Sequence, residues 1–436
     1  MHRRSDRVDW FAWLILALAV VAYFLLWRQA PYVTNDWGGY ARVAKDIAQH
    51  LLPTEIHFRT PGYPMLLVLT GSTDVPSRAL FLLQLLLHVT AVFLVVDLLR
   101  KLGFSRWVQR GCLLLMVLPP FIEPAAYALT ESACAFLLSV TIWLIARKEW
   151  GYWSAVGSGF AAGLAALTRP GYQLLGLALA LVMLAIGQWR RAIVLALVFL
   201  ATVGSLILYN GARFGYPSIT SATGWNLSTR TAMFLDEWSD GRTKEYLTGV
   251  RDSMVNVWRS RSPYMYIWHV NKTRLAELTG LGGLALDRYM LTTNLKTIKK
   301  DPIDYVSEVC RSLVQIWLPD SGLADFDSKY LFAAWTLIHF GLVALFFLQL
   351  TVVLGVSLAR KRNDPDSPSN PSLVYLLATT AIAYTVVVSC AIDVGFPRYL
   401  RPVDTFVVLT TTIGVRHWLR LRGASGLGAR NIAARG

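Results

Sequence analysis

Charge is what this chain has least of. Asp, Glu, Lys and Arg make up only 16 % of its 436 residues, where a soluble protein carries about 25 %. Hydrophobic residues reach 55 % and the mean hydropathy is +0.45, so the polar surface that would keep a globule in water is missing. The scarcity excludes an ordinary soluble enzyme. It points to an all-α polytopic membrane protein.

Cysteine is scarce as well. Cys112, Cys134 and Cys390 fall inside apolar runs and Cys310 on an amphipathic stretch, so no disulfide framework is expected. The histidines and cysteines lack the His-Glu-x-x-His and Cys/His spacings of metal sites. Gly-rich phosphate loops are absent too, and RGASGLGARNIAARG near the C-terminus lacks the strand–turn–helix setting that such a loop needs. Nucleotide chemistry is therefore not expected. The net charge of +15 does not argue for nucleic acid, because the basic residues sit in short clusters that alternate with apolar runs.

Those runs lie near 10–28, 78–99, 108–123, 127–146, 152–168, 171–188, 191–210, 331–359, 372–392 and 401–419. Each is expected to cross the bilayer as a helix, which takes roughly 20 residues; the third is the weakest, hemmed in by Arg110 and Glu123. With the N-terminus inside, the cytoplasmic segments gather Arg3, Arg4 and Arg7, then Arg100 to Arg110, Arg147 and Lys148, Arg190 and Arg191, Arg360 to Arg362, and the tail after Val415. The short outer loops are poorer in Lys and Arg, as the positive-inside rule requires. Both termini are thus expected in the cytoplasm. Met1 to Arg28 has too long an apolar run, and no small-residue cleavage site, for a signal peptide.

The expected organisation is an N-terminal membrane module over 1–210, a long outer loop over 211–330, further spans over 331–421 and a basic tail over 422–436. The loop contains turn-rich polar stretches, FGYPSITSATGWN and DEWSDGR. It ends in an amphipathic helix that Asp301 and Pro302 start, with Ile303, Val306, Cys310, Leu313 and Trp317 on one face and Pro319 as its stop. A helical cap over the membrane face is expected. RKRNDPDSPSNP from Arg360 reads as a disordered cytoplasmic linker.

Candidate chemistry gathers on the outer side. Residues 29–77 follow the first span, and Tyr40, Ala44, Ile47, Ala48 and Leu51 recur there at helical spacing, with Arg42, Lys45, Asp46 and Gln49 opposite. A short helix at the interface, stopped by Pro53, is expected. Asp36 precedes it, either as its N-cap or as a general base whose pKa is raised by the nearby hydrocarbon. Glu131 opens the fourth run, as a cap with Thr130 or as a functional carboxylate. Glu123 faces the same compartment. Arg59, Arg169, Arg398 and Arg401 all map to this side, and each offers the planar fork suited to phosphate; snorkelling is the alternative for each, and pairing with Asp404 is another for Arg401. His57 stands close to Arg59. A divalent metal on Asp36 and Glu131 stays open.

Four places carry a resemblance. Asp36 with Tyr40 and Ala44, FRTPGYPMLLVL over 58–69, ALTESACAFLL over 128–138 and PRYLRPVD over 397–404 resemble, in order and placement, elements of the GT-C glycosyltransferase superfamily. The nearest branch is that of protein O-mannosyltransferases and lipid A aminoarabinose transferases. The resemblance implies a polyprenyl-phosphate-sugar-dependent glycosyltransferase in a plasma membrane, of the bacterial inner-membrane kind. Its implied reaction is an inverting transfer to an envelope glycan, lipid or protein on the extracytoplasmic face. It implies Asp36 as the base, Arg59 where relatives have a phosphate-binding Lys, Arg398 assisting, and Glu131 in place of a more usual Asp. Tyr40, His57, Arg169, Arg401 and Tyr399 join as donor contacts. The rival readings are a lipid-linked sugar flippase or transporter and a lipid-binding scaffold. Against the transporter, the charges concentrate at outer span ends, His88 excepted, and no inverted repeat is evident.

Overall fold

A computed structural model describes residues 10–26, 31–147, 150–231, 234, 241–258, 267–319, 329–359, 371–393 and 395–433. The linker from Arg360 and most of DEWSDGR lie outside the described residues. Among the described residues the regular structure is helical, eighteen α-helices and a few 3-10 turns, with one isolated parallel bridge between Tyr32 and Tyr127. The chain is an all-α membrane protein.

Four helices are long and apolar enough to cross a membrane: Arg78–Lys101, Trp189–Phe214, Ala333–Thr351 and Ser372–Ile392. The 24 residues of Arg78–Lys101 rise about 36 Å, more than the roughly 30 Å hydrocarbon core. Trp10–Leu25, Glu131–Ala146 and Pro170–Ala185 are shorter apolar helices. The expected third span is corrected. Arg106–Met116 has 11 residues, about 16 Å, and the chain then turns through Pro119–Ile122 and a 3-10 turn, Glu123–Ala126. Pro119 and Pro120 have no N–H to continue the ladder, so an apolar stretch long enough on paper breaks in two. At the C-terminus, Asp404–Ala433 is one helix that continues through the segment expected as a separate tail.

The long loop is helical, as expected. It holds Thr223–Thr231, Gly241–Trp258, Lys272–Thr279, Gly283–Lys300 and Pro302–Gln315, so TGWN, read as turn, opens a helix. Trp225, Leu247, Leu275 and Met290 give the cap its own small core. Asp301 caps the last helix, accepting from the Asp304 N–H at 3.3 Å. The apolar face expected there splits: Leu313 and Trp317 pack inward, while Ile303 (78 % exposed), Val306 and Cys310 face out. An outward apolar stripe suits a helix resting on lipid.

The helix Trp37–His50 forms as expected and buries Trp37, Tyr40, Ala41, Val43, Ala44 and Ile47. Ala48 and Leu51 are exposed instead of buried. Leu51 takes a positive φ as the helix ends, which turns it away. Tyr40, Ala44 and Trp37 pack with Tyr63, Leu67, Leu80 and Leu129, locking the loop after the first apolar helix onto the Glu131 connection.

Candidate active site

Spacing leaves open whether Asp36 and Glu131 meet; backbone pairing brings their loops together. Tyr32 donates its N–H to the Ala126 carbonyl at 2.8 Å, and Ala128 donates to the Tyr32 carbonyl at 3.0 Å. Gln84, buried on the second span, fastens both loops: it accepts from the Tyr63 hydroxyl at 2.6 Å and donates to the Ala125 and Tyr127 carbonyls. The residues on either side of this junction are held by satisfied buried hydrogen bonds, which fix geometry.

Asp36 stands at the N-cap position of Trp37–His50, but its side chain caps nothing. Both of its oxygens turn to arginines. Arg59 donates to Oδ1 at 2.5 Å and Arg398 to Oδ2 at 3.0 Å. Arg59 lies across the first turn of the helix, with its guanidinium 4.9 Å above the Tyr40 ring. Gly39 makes this passage available, since a Cβ there would stand 3.2 Å from the Arg59 Cγ. Arg398 comes from the 3-10 turn Pro397–Val403, far along the chain.

Glu131 begins its helix, Glu131–Ala146, and Thr130 supplies no side-chain cap. One oxygen accepts from Arg169 at 3.4 Å, and the other, buried, has no hydrogen-bond partner. The Arg169 guanidinium packs over the Tyr399 ring at 4.7 Å, and the Tyr399 hydroxyl donates to Asp393 at 2.8 Å. The turn bearing Arg59 and the turn bearing Arg169 touch through Gly62. A Cβ at Gly62 would lie 2.7 Å from the Leu167 backbone.

These side chains line one cleft with room of about 120 Å³, among them Asp36, Tyr40, Arg59, Glu131, Arg169, Arg398 and Tyr399. Gln173, Thr223, Asn226, Ser389 and Asp393 complete it. Sequence reasoning missed these last five; the polar FGYPSITSATGWN stretch was the one signal pointing at two of them.

Three candidates stand elsewhere. Arg401 is buried, donating to the Pro120 carbonyl at 3.0 Å and lying 3.5 Å from Asp404 and 3.9 Å from Glu123. It ties the last span to the broken third run and lines no part of the cleft, and Glu123 is its neighbour there. His57 turns back to Asp46, 2.8 Å away. Asp46, expected on the solvent side of its helix, also accepts from the Thr54 N–H and hydroxyl at 2.7 Å. This brace orders the loop that delivers Arg59.

Electrostatics modify the expectation for Asp36. Burial pushes its pKa up, but Arg59 and Arg398 outweigh that and hold the carboxyl below its ordinary value. The raised pKa expected from nearby hydrocarbon is not found. Arg169 and Arg398 are held above theirs: burial opposes the charge, and Glu131 beside the first, and Tyr399 and Asp36 beside the second, overcome it. The donor set does not suit a divalent metal. Both Asp36 oxygens and one of Glu131 are taken by guanidiniums, and an added cation would sit among three positive charges. Among the described residues no other group of His, Cys, Asp and Glu could hold a metal. A cleft with three arginines favours an anion.

A family model described as dolichyl-phosphate-mannose-protein mannosyltransferase matches residues 61–210, about a third of the chain. No curated protein matches. Comparison with solved structures finds distant likenesses. The archaeal oligosaccharyltransferase AglB from Archaeoglobus fulgidus, in complex with an inhibitory peptide and a dolichol-phosphate, is 14 % identical with a TM-score of 0.48, over 96 % of this chain and 52 % of that one. ArnT from Cupriavidus metallidurans, bound to undecaprenyl phosphate, is 15 % identical with a TM-score of 0.39, over 94 % and 78 %. The chain spans about half the length of the archaeal protein. Likenesses this distant carry no argument about the site.

Proposed function

We propose that this chain is a membrane glycosyltransferase that moves a sugar from a polyprenyl-phosphate donor to a hydroxyl of an envelope glycan, lipid or protein. Transfer takes place on the extracytoplasmic face and inverts the anomeric centre. The observation that carries the reading is the convergence of Arg59, Arg398 and Arg169 on Asp36 and Glu131 in one half-buried cleft.

The reaction follows from charge. With no donor, Arg59 and Arg398 neutralise Asp36 and weaken it as a base. A lipid phosphate entering the cleft competes for the same guanidiniums. As they turn to the phosphate oxygens, Asp36 loses its counter-charges and its burial then raises its pKa. It becomes a base when the donor is in place. Asp36 takes the proton of the acceptor hydroxyl, and that oxygen attacks the anomeric carbon on the face away from the phosphate. The anomeric C–O bond breaks and its electron pair leaves with the lipid phosphate, whose charge the arginines stabilise.

Asp36→Asn tests this. A general base contributes about 10²- to 10⁴-fold, so transfer should fall by that range. Binding of polyprenyl phosphate should hold or tighten, since the arginines lose a competitor. Full activity in the variant sinks the assignment. A binding assay and a transfer assay on the same purified protein give both numbers.

A further inference from the structure

The molecule has a second opening, at the end opposite the cleft. Gly151–Thr168 runs 18 residues from it to the Arg169 turn, a rise of about 27 Å. The groove lies between Gly151 and Tyr152 on one side and the turn from Gly187 to Arg191 on the other, with room of about 390 Å³. Arg191 fixes its shape. It donates to the Ser154 hydroxyl at 2.6 Å, to the Ile145 carbonyl at 2.9 Å and to the Gln188 side chain at 3.0 Å. Glu131–Ala146, Gly151–Thr168 and Trp189–Phe214 are thereby pinned together around the opening.

Arg190 supplies the charge. Its side chain is exposed, and among the described residues its contact is the Trp189 ring, 5.0 Å away. No described carboxylate lines the groove. Asp97, a described carboxylate at this end, is engaged by Arg100 and the Trp143 indole, with Lys101 at 3.5 Å and Arg147 at 3.9 Å. An exposed arginine needs no partner in bulk water, but this one stands in the first turn of a helix apolar and long enough to span a membrane. The first turn of such a span lies at headgroup depth, and the exposed rings of Tyr152, Trp153 and Trp189 are of the kind that settles there. The face that begins with Trp189 then turns apolar: Ile193, Leu197 and Leu200 follow it at helical spacing and are exposed. A soluble anion would use the groove and leave the stripe; a phospholipid uses both.

We propose that this groove binds an anionic phospholipid. The phosphate meets Arg190 and the Tyr152 hydroxyl, and an acyl chain follows Ile193, Leu197 and Leu200. Basic pockets between spans take anionic headgroups in this way. The site is separate from the arginine cleft and does not depend on what that cleft binds.

The test uses the full chain in detergent micelles, with bound lipids counted by native mass spectrometry. The probe is palmitoyl-oleoyl phosphatidylglycerol, and phosphatidylcholine with the same chains is the zwitterionic comparison. One phosphatidylglycerol should be held several-fold more tightly than phosphatidylcholine. Arg190→Gln should weaken it about fivefold, the worth of one basic residue at an anionic headgroup. Arg106→Gln removes an exposed arginine outside the groove and should change nothing. Excess glycerol 3-phosphate should fail to displace the lipid. Unchanged thermal unfolding certifies each variant; should Arg190→Gln fail that check, Tyr152→Phe removes only a hydroxyl and should weaken the lipid about threefold. Equal retention of the two lipids, or unchanged phosphatidylglycerol affinity in the folded groove variants, overturns the site. Equal loss in Arg190→Gln and Arg106→Gln would mean diffuse attraction to a basic surface, and displacement by glycerol 3-phosphate a site for free anions; either result also overturns it.

Discussion

At the scale of single residues, the site turns on a contest between burial and charge at Asp36. Its carboxyl is 22 % exposed, and Arg59 and Arg398 are about as sheltered, so the competing effects are weakly screened. The arginines win, and the pKa lies below the ordinary 3.8. A testable consequence concerns pH. The acid limb of kcat/KM for the donor reports free enzyme, and that of kcat reports the complex. In the free enzyme Asp36 ionises at a depressed pKa, so activity on this parameter should fall only below about pH 3.8. In the complex the guanidiniums face phosphate, Asp36 keeps its burial without its partners, and the kcat limb should stand at higher pH. Arg398→Gln removes one lowering contribution and should move the kcat/KM limb upward. Coincident limbs in the wild type would count against the exchange. Much at this scale was legible: outer-side arginines and carboxylates marked Asp36, Arg59, Glu131, Arg169 and Arg398, and these share the cleft. Arg401 and His57 were indistinguishable from them in sequence, because topology assigns a side but not a direction. Whether Arg401 reaches the cleft or the buried Pro120 carbonyl depends on packing that no spacing encodes.

At the scale of elements, the arginine-bearing turns are held by close backbone approach. Gly62 opens the helix Gly62–Leu69 and lies so near Leu167 and Thr168 that a Cβ would meet backbone atoms at 2.7 Å. Backbone cannot swing aside as a flexible side chain can. Gly62→Ala should therefore cost about 1–3 kcal/mol and part the Arg59 turn from the Arg169 turn, weakening undecaprenyl phosphate binding as well. Gly38→Ala is the contrast, since nothing lies within 4 Å of a Cβ there, and alanine favours the helix. Thermal unfolding of the two variants, read beside lipid binding, checks the pair. If Gly62→Ala is as stable as Gly38→Ala, the turns are not coupled in this way. Periodicity made the Trp37–His50 helix and the Asp301-capped helix legible, because an amphipathic stripe and an N-cap are local signals. The break in the third run was less so: hydropathy registers apolar length, while Pro119 and Pro120 decide whether that length is one helix. The rest of the cleft's lining was hidden for another reason. Gln173, Asn226 and Asp393 are unremarkable singly and acquire meaning only when three distant elements meet.

At the scale of the whole molecule, the alternation of helix directions separates two chemically distinct ends. Arg78–Lys101 and Glu131–Ala146 start beside the site and run away from it, and Gly151–Thr168 returns to Arg169. The far end collects cations. Lys101 and Arg147 lie over the Trp143 ring at 4.9 and 3.9 Å, Arg191 donates to the Ile145 carbonyl at 2.9 Å, and Arg416 to the Leu102 carbonyl at 2.8 Å. A basic end opposite the cleft is what the positive-inside rule expects of a cytoplasmic face, and the prediction it makes is an outward cleft. That orientation is measurable with single thiols. Cys112, Cys134 and Cys390 are buried and should stay silent toward a membrane-impermeant maleimide, and Cys310→Ser removes the exposed one. On that background, Asp74→Cys, in the turn beyond Gly62–Leu69 and already 75 % exposed, should react in intact spheroplasts. Arg190→Cys, at the basic end and also exposed, should react only after the membrane is permeabilised. The reverse pattern would put the arginine cleft in the cytoplasm, where the acceptor could not be an extracytoplasmic envelope component. Binding of lipid phosphate would survive that result and the direction of transfer would not, so orientation and chemistry are tested independently.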